Sequence, residues 1–161
     1  MRFLFCLLYM AIAGIASHFI GNALPRRWFD ANRFPYAAWK WEKGGKIYDK
    51  IHVHTWKDRV PDMSKIAPRM VRKSIRLTDG SAAVDRLVQE TCVAEMVHLV
   101  LMLLSFIIYW ICPDLRGAIA AVVYGLSHVP FIIIQRYNRP TLALLASRLK
   151  EREERKKKCT C

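Results

Sequence analysis

The chain has 161 residues, 53% of them hydrophobic, with 26 Lys and Arg against 13 Asp and Glu and a formal net charge of +13. That length holds one compact unit rather than two domains. The charge would suit a nucleic-acid-binding protein, but a soluble basic domain has no use for uninterrupted apolar runs such as LVLMLLSFIIYWIC; no nucleic-acid partner is expected, and the cations suit an anionic membrane surface.

The first apolar run covers residues 3–24, with His18 and Asn22 near its far end. A helix rises 1.5 Å per residue, so roughly 20 residues cross a hydrocarbon core of about 30 Å. Arg2 ahead of a leucine-rich stretch also imitates a secretory signal peptide, an alternative that the charge distribution opposes.

Residues 26–90 form the next segment. Trp28, Phe29, Phe34, Tyr36, Trp39 and Trp41 are mixed with Arg26, Arg27, Arg33, Lys40 and Lys43, which puts rings at headgroup depth and cationic ends among phosphates. The segment is predicted to lie on the membrane as a partly helical, amphipathic piece broken at Gly44-Gly45. IHVHTWKDRVPDMS, residues 51–64, alternates briefly before Pro61, predicting a short extended piece and a turn. From Ser81 the pattern becomes helical, so the second span starts as an amphipathic cytoplasmic helix and enters the bilayer near Val93.

The second span covers 93–112 and the third 115–134, and the short Pro113-Asp114 turn between them requires an antiparallel hairpin. Gly117 and Gly125 allow close helix contact. Pro130 removes a donor and presses on the carbonyl of Leu126, so a kink or a locally opened turn is expected at Ser127 and His128. The basic tail, 135–161, is predicted to hold a new helix from Leu142 to Lys158, opened by Pro140-Thr141. Residues 26–90 carry fifteen Lys and Arg and residues 135–161 carry nine, whereas the turn between the last two spans offers only Arg116. The positive-inside rule then places the central segment and the C-terminus in the cytoplasm and the N-terminus outside. The reading is an all-α integral membrane protein of the cell membrane: a single domain over 1–161 with about three transmembrane helices, an interfacial amphipathic segment and a cytoplasmic C-terminal helix.

Cys6, Cys92 and Cys112 lie in or beside apolar segments and Cys159 and Cys161 close the tail, with no spacing that fits a disulfide framework, a closed metal site or a prenylation box. His52 and His54 form an H-x-H pair that could join Glu90 or His98 on a metal, a weak signal, and no metal is assigned.

Polar residues that a bilayer tolerates only in sheltered positions mark the candidate site. Glu90, Thr91, Ala94, Glu95 and His98 lie along one stripe of a helix. Glu95 and His98 are three residues apart, close enough for the carboxylate to receive an imidazole N–H, and His98 is roughly 7 Å past the start of the apolar run. Two readings fit: a hydrogen-bond cluster that pins the helices, or base catalysis in which His98 takes a proton from an alcohol while Glu95 orients it. Glu90 could position a hydroxyl group or a cation, or be merely solvated. Glu42 and Lys43, then Lys50, then Trp56 and Lys57, form further polar groups: a lysine can meet lipid headgroups, hold a carbonyl oxygen as it becomes negative or bind the phosphates of an acyl carrier. Trp56 suits a sugar face or membrane anchoring. Arg136, Asn138 and Arg139 emerge from the third span, level with the Glu90 to His98 stripe, and an arginine there anchors topology, pairs with Glu90 or Glu95, or grips an anionic substrate.

The stretches WEKGGKIYDKIHVHTWKDRVPD, VQETCVAEMVHLV and VPFIIIQRYNRP resemble the glycosyl-4,4'-diaponeurosporenoate acyltransferase family of carotenoid glycolipid synthesis, from about Pro25 to Arg148 and in one order. Its pattern falls on Glu42, Lys43, Gly45, Lys50, Trp56, Lys57, Glu90, Thr91, Ala94, Glu95, His98, Pro130, Gln135, Arg136, Tyr137, Asn138, Arg139 and Pro140. His52, His54 and Thr141 depart from it. The resemblance implies a transferase that esterifies a sugar hydroxyl of a membrane glycolipid with a fatty acyl group, with acyl-CoA or a carrier-bound acyl donor as co-substrate and no cofactor. Anionic lipids and a second copy of the chain are further expected partners. A non-enzymatic lipid-binding or assembly subunit and a metal-assisted lipid hydrolase are the competing readings.

Overall fold

A computed structural model describes residues 2–60 and 80–160. Among them the regular structure is entirely helical: α1 (Arg2–Ala23), a single turn α2 (Val53–Trp56), α3 (Gly80–Leu104), α4 (Phe106–Ile111), α5 (Leu115–Ser127) and α6 (Val129–Thr160), with 3-10 turns in Arg26–Trp28, Lys40–Ile51 and Lys57–Arg59. Three helical stretches, Arg2–Ala23, Gly80–Ile111 and Leu115–Cys159, are long and apolar enough to cross a membrane. The protein is of the all-α membrane class that the apolar runs predict. Two compact units emerge: Met1–Pro25 with Val93–Ile133, and Arg26–Cys92 with Ile134–Cys161.

The first unit is built by the spans. α1 ends where Leu24 donates back to Ile20, because Pro25 forbids a further helical turn. A small core of Cys6, Ile108, Cys112 and Ala121 gathers Tyr9, Met10, Ile111, Ala120 and Tyr124 around it. Two hydrogen bonds tie α1 across: Tyr9 to the carbonyl of Leu104 at 3.0 Å and Tyr124 to that of Met10 at 3.4 Å. The expected hairpin is present. Asp114 caps α5 by accepting the Gly117 N–H at 3.0 Å, and a Cβ on Gly117 would lie 1.8 Å from the Cys112 carbonyl oxygen. A Cβ on Gly125 would meet Ser105 Oγ at 2.8 Å, so this glycine sets how closely the hairpin closes. Large apolar side chains such as Leu4, Phe19, Trp110, Leu115 and Val123 point outward, an arrangement stable in hydrocarbon and costly in water.

The second unit departs from the sequence reading in two places. The alternating stretch after Ile51 is helical rather than extended: His52 turns the chain through the left-handed region at φ 52°, and Thr55 then donates to the His52 carbonyl, closing the α2 turn. The turn expected at Pro61 lies outside the described residues. In the tail, α6 runs from Val129 straight through Pro140 rather than starting anew at Leu142. Pro140 has no N–H for the carbonyl of Arg136, and at this place the 40–51 segment packs against the helix through Gly45, where a Cβ would lie 3.4 Å from the Tyr137 carbonyl oxygen and 3.9 Å from that of Arg136. The Gly44-Gly45 break is as expected, with Lys43, Gly44 and Gly45 all left-handed at φ 49°, 66° and 92°. At His128, two residues before Pro130, the helical hydrogen bonding opens locally: the His128 N–H turns to the Gly125 carbonyl at 3.2 Å while its backbone stays right-handed. At the far end of the unit Glu153 caps α3, taking the Ser81 N–H at 2.8 Å and its hydroxyl at 2.7 Å, while Lys150 pairs with Asp85 at 2.6 Å.

Candidate functional site

Each unit holds its own polar cluster. In the second, the carboxylate of Glu42 is 2% exposed and is surrounded by donors. Arg136 reaches it through Nε at 2.5 Å and Nη2 at 3.2 Å, the Trp39 N–H at 2.7 Å, and the Tyr48 hydroxyl also donates to it. Burial by itself would raise the Glu42 carboxyl, but Arg136, Tyr48 and the Trp39 amide all favour the charged form and together hold it below the ordinary carboxylate range. The Tyr48 phenol moves the other way, pushed up by burial and by the carboxylate beside it. Arg136 also donates to the carbonyls of Pro35 and Ala37 at 3.2 and 3.3 Å and lies over the Trp39 ring.

Arg139 is a second buried guanidinium. Its Nε donates to Thr91 Oγ1 at 2.9 Å, Nη2 to the Thr91 carbonyl at 3.1 Å and Nη1 to the Tyr36 carbonyl at 2.7 Å. The meeting of α6 with the polar stripe of α3 that the sequence predicts is therefore realised at Thr91. Glu90 is gripped by Arg26 through both oxygens, at 2.8 and 3.0 Å, with Arg86 at 3.9 Å. Lys57 approaches Asn138 Oδ1 at 3.4 Å and lies over the Tyr137 ring. Trp56 donates its indole N–H to the Ile51 carbonyl at 3.0 Å, while Lys43 and Lys50 are exposed. The chain folds this way locally because backbone carbonyls left unpaired by the irregular 35–37 stretch need donors, and two arginines with five N–H groups each supply them.

The first unit holds the histidines. His98 Nδ1 is 3.2 Å from His128 Nδ1, and the His98 ring stacks on Phe131 with centroids 4.5 Å apart. His128 is 8% exposed and meets the edge of Tyr124 at 4.8 Å; its Nε2 has no hydrogen-bond partner among the described residues. Glu95, 2% exposed, precedes His98 by one helical turn on α3. His52 and His54 are exposed, 6.0 Å apart between ring centroids, and among the described residues no group of three or more His, Cys, Asp and Glu could hold a metal ion.

Sequence reasoning identified Glu42, Arg136, Asn138 and Lys57 without pairing them. It considered Glu90 or Glu95 as the partner of an arginine, and the fold gives Glu90 to Arg26 and Glu42 to Arg136. It left Tyr48, Tyr36 and Arg26 out of the site, and it noted His128 only as a residue at a kink. For His128 a signal existed: an imidazole in an apolar run, beside a helix-breaking proline, at the depth of another imidazole.

A family model described as glycosyl-4,4'-diaponeurosporenoate acyltransferase matches residues 25–148. Proteins of that name from Staphylococcus aureus strains bovine RF122 / ET3-1 and USA300 are each 30% identical to this chain over 152 residues, which is 94% of this chain and 92% of theirs. No solved structure matches it.

Proposed function

Because the chain belongs to the glycosyl-4,4'-diaponeurosporenoate acyltransferase family, we propose that it is a membrane O-acyltransferase that esterifies a sugar hydroxyl of a membrane glycolipid with a fatty acyl group. The donor is an acyl-CoA or a carrier-bound acyl thioester. His98 takes the hydroxyl proton as the sugar oxygen forms its bond to the thioester carbonyl carbon. The C–S bond then breaks, and the thiolate leaves with the proton that His98 had taken. Glu95, a buried carboxylate one turn away on the same helix, offsets the positive charge that develops on His98.

The observation that supports this reading is an ionisable imidazole held among aromatic rings within a segment apolar enough to span a membrane, where such groups seldom persist without a task. The exposed cations Lys43 and Lys50 and the exposed rings of Trp28, Phe34, Trp39 and Trp41 belong to the second unit. In this reading they meet anionic headgroups on the cytoplasmic face, with the N-terminus outside. Full-length protein in nanodiscs, given palmitoyl-CoA and an alkyl glucoside, is the direct test. Ester formation that His98→Ala reduces by about 100-fold or more, at unchanged helix content, is the expected result; a folded His98→Ala protein that still acylates at the wild-type rate ends the assignment.

A further inference from the structure

We infer that Cys6 and Cys112 are a disulfide-forming pair that joins the start of α1 to the hairpin of the other two spans. They are the two cysteines of the first unit, and one backbone atom brings them together: the Ile108 carbonyl oxygen accepts the Cys112 N–H at 3.0 Å and the Cys6 S–H at 3.7 Å. Both side chains are buried in the same small core, with Ile108 and Ala121. The Cys112 thiol has the Cys6 thiol and the Asp114 carboxylate, the latter at 3.4 Å, as polar neighbours. A disulfide needs sulfurs that reach about 2 Å by turning side chains rather than by moving backbones, and a shared carbonyl within a shared core provides that.

The fold also puts the pair where thiols are oxidised. Cys6 is in the second turn of α1 and Cys112 directly precedes the exposed Pro113-Asp114 turn, so both are at one end of the first unit. In the orientation proposed above that end faces outward, away from the reducing cytoplasm; the oxidised state rests on that orientation, whereas the pairing does not. The oxidant is a disulfide at the outer face, either a small molecule or carried by a protein. Cys112, beside the turn, attacks it as the thiolate and expels one thiol; Cys6, as the thiolate, then attacks the Cys112 sulfur of the mixed disulfide and expels the second. Two cysteine thiols are oxidised, the external disulfide is reduced to two thiols, and the cysteine protons leave with them. The bond secures a helix that packing holds weakly. Only Cys6 and Gly21 of α1 are buried, and lipid tails are as apolar as its leucines, so no hydrophobic force presses it onto the hairpin.

The test uses cells that make the full-length chain, quenched in acid and alkylated with N-ethylmaleimide in denaturant before digestion and mass spectrometry. The expected result is a pair of peptides joined through Cys6 and Cys112 that reduction separates, with Cys112 alkylated instead in Cys6→Ala. Reductant is expected to lower the thermal midpoint of the purified wild type by several degrees and to leave that of Cys6→Ala unchanged. Labelling of Cys159 by an impermeant maleimide distinguishes the two ways of failing. Both Cys6 and Cys112 alkylated in the wild type, with Cys159 reached only from the cytoplasmic side, overturns the inference and leaves the orientation standing. Cys159 reached from outside reverses the orientation, and purified protein treated with dipyridyl disulfide then decides: a Cys6–Cys112 bond supports the pairing, and a separate pyridyl adduct on each cysteine overturns it. Neither readout depends on acyl transfer.

Discussion

Arg136 and Glu42, 94 positions apart in the chain, form an ion pair in which guanidinium Nε lies 2.5 Å from one carboxylate oxygen and Nη2 3.2 Å from the other. Both side chains are largely buried, at 12% and 3% exposure. Breaking such a pair from one side leaves a charge without its counterpart and costs about 3–5 kcal/mol, whereas removing both charges together costs less. Glu42→Gln and Arg136→Met are each expected to lower the unfolding midpoint markedly, and the double variant is expected to recover part of the loss. A double variant no better than the worse single one would show that the pair is not the source of the effect. Denaturant titration in detergent measures it.

The same pair makes stability depend on pH. Glu42 has its carboxyl lowered in the fold from an ordinary 4.5, so the unfolded chain binds its proton more readily than the folded one. The contribution is complete above the unfolded value and is lost as the pH falls through the lower folded one. Wild-type protein should therefore weaken below pH 4.5 more steeply than Glu42→Gln, which has no carboxylate to protonate at this position. Equal acid slopes in the two proteins would contradict the assignment.

Gly45 adopts φ 92° where the 40–51 segment packs on α6 at Pro140, and Gly44 adopts φ 66° with nothing within 4 Å of the place a Cβ would take. Left-handed backbone costs an ordinary L-residue roughly 1–2 kcal/mol, and asparagine tolerates it best. Gly45→Ala is expected to destabilise by at least that much, and Gly44→Asn by little, when unfolding of the two variants is compared side by side.

Glu90 holds Arg26 through two charge-assisted hydrogen bonds, at 2.8 and 3.0 Å. Replacing it with glutamine is expected to cost about 1.5–3 kcal/mol and to reduce acyl transfer only as far as the folded fraction falls. A turnover number per folded molecule that drops well beyond that would instead place Glu90 against the substrate.

Cys159 is exposed near the end of α6, while Cys6, Cys92 and Cys112 are buried. In a Cys161→Ser background, a membrane-impermeant maleimide should label Cys159 in inside-out vesicles and leave it unlabelled in intact cells. Labelling of intact cells would reverse the proposed topology.

Much of this fold is legible in the residues. Spans announce themselves because hydrocarbon demands about 20 apolar residues in a row, and the Pro113-Asp114 turn leaves no room for anything but a hairpin. The opened turn at His128 follows from Pro130. The helix through Pro140 does not follow, because a proline in a helix is tolerated when its surroundings permit, and here the surrounding backbone is Gly45, contributed by a distant segment. The one-turn helix after His52 was equally hidden, since four residues of alternation say little about a chain that a left-handed residue has already turned.

The candidate site divides in the same way. Glu42, Glu90, Arg136 and Arg139 stand out from the sequence as charged groups beside apolar runs, yet nothing in their spacing assigns Arg136 to Glu42, Arg26 to Glu90, or Arg139 to Thr91. By itself the sequence determined the apolar lengths, the placement of basic residues and the polar stripe on α3, because these depend on local composition and helical period. Only the tertiary structure decided which side chains meet, including the facing Nδ1 atoms of His98 and His128. A hydrogen bond depends on where two backbones bring its donor and acceptor, and residues far apart in sequence acquire that relation only when the chain folds.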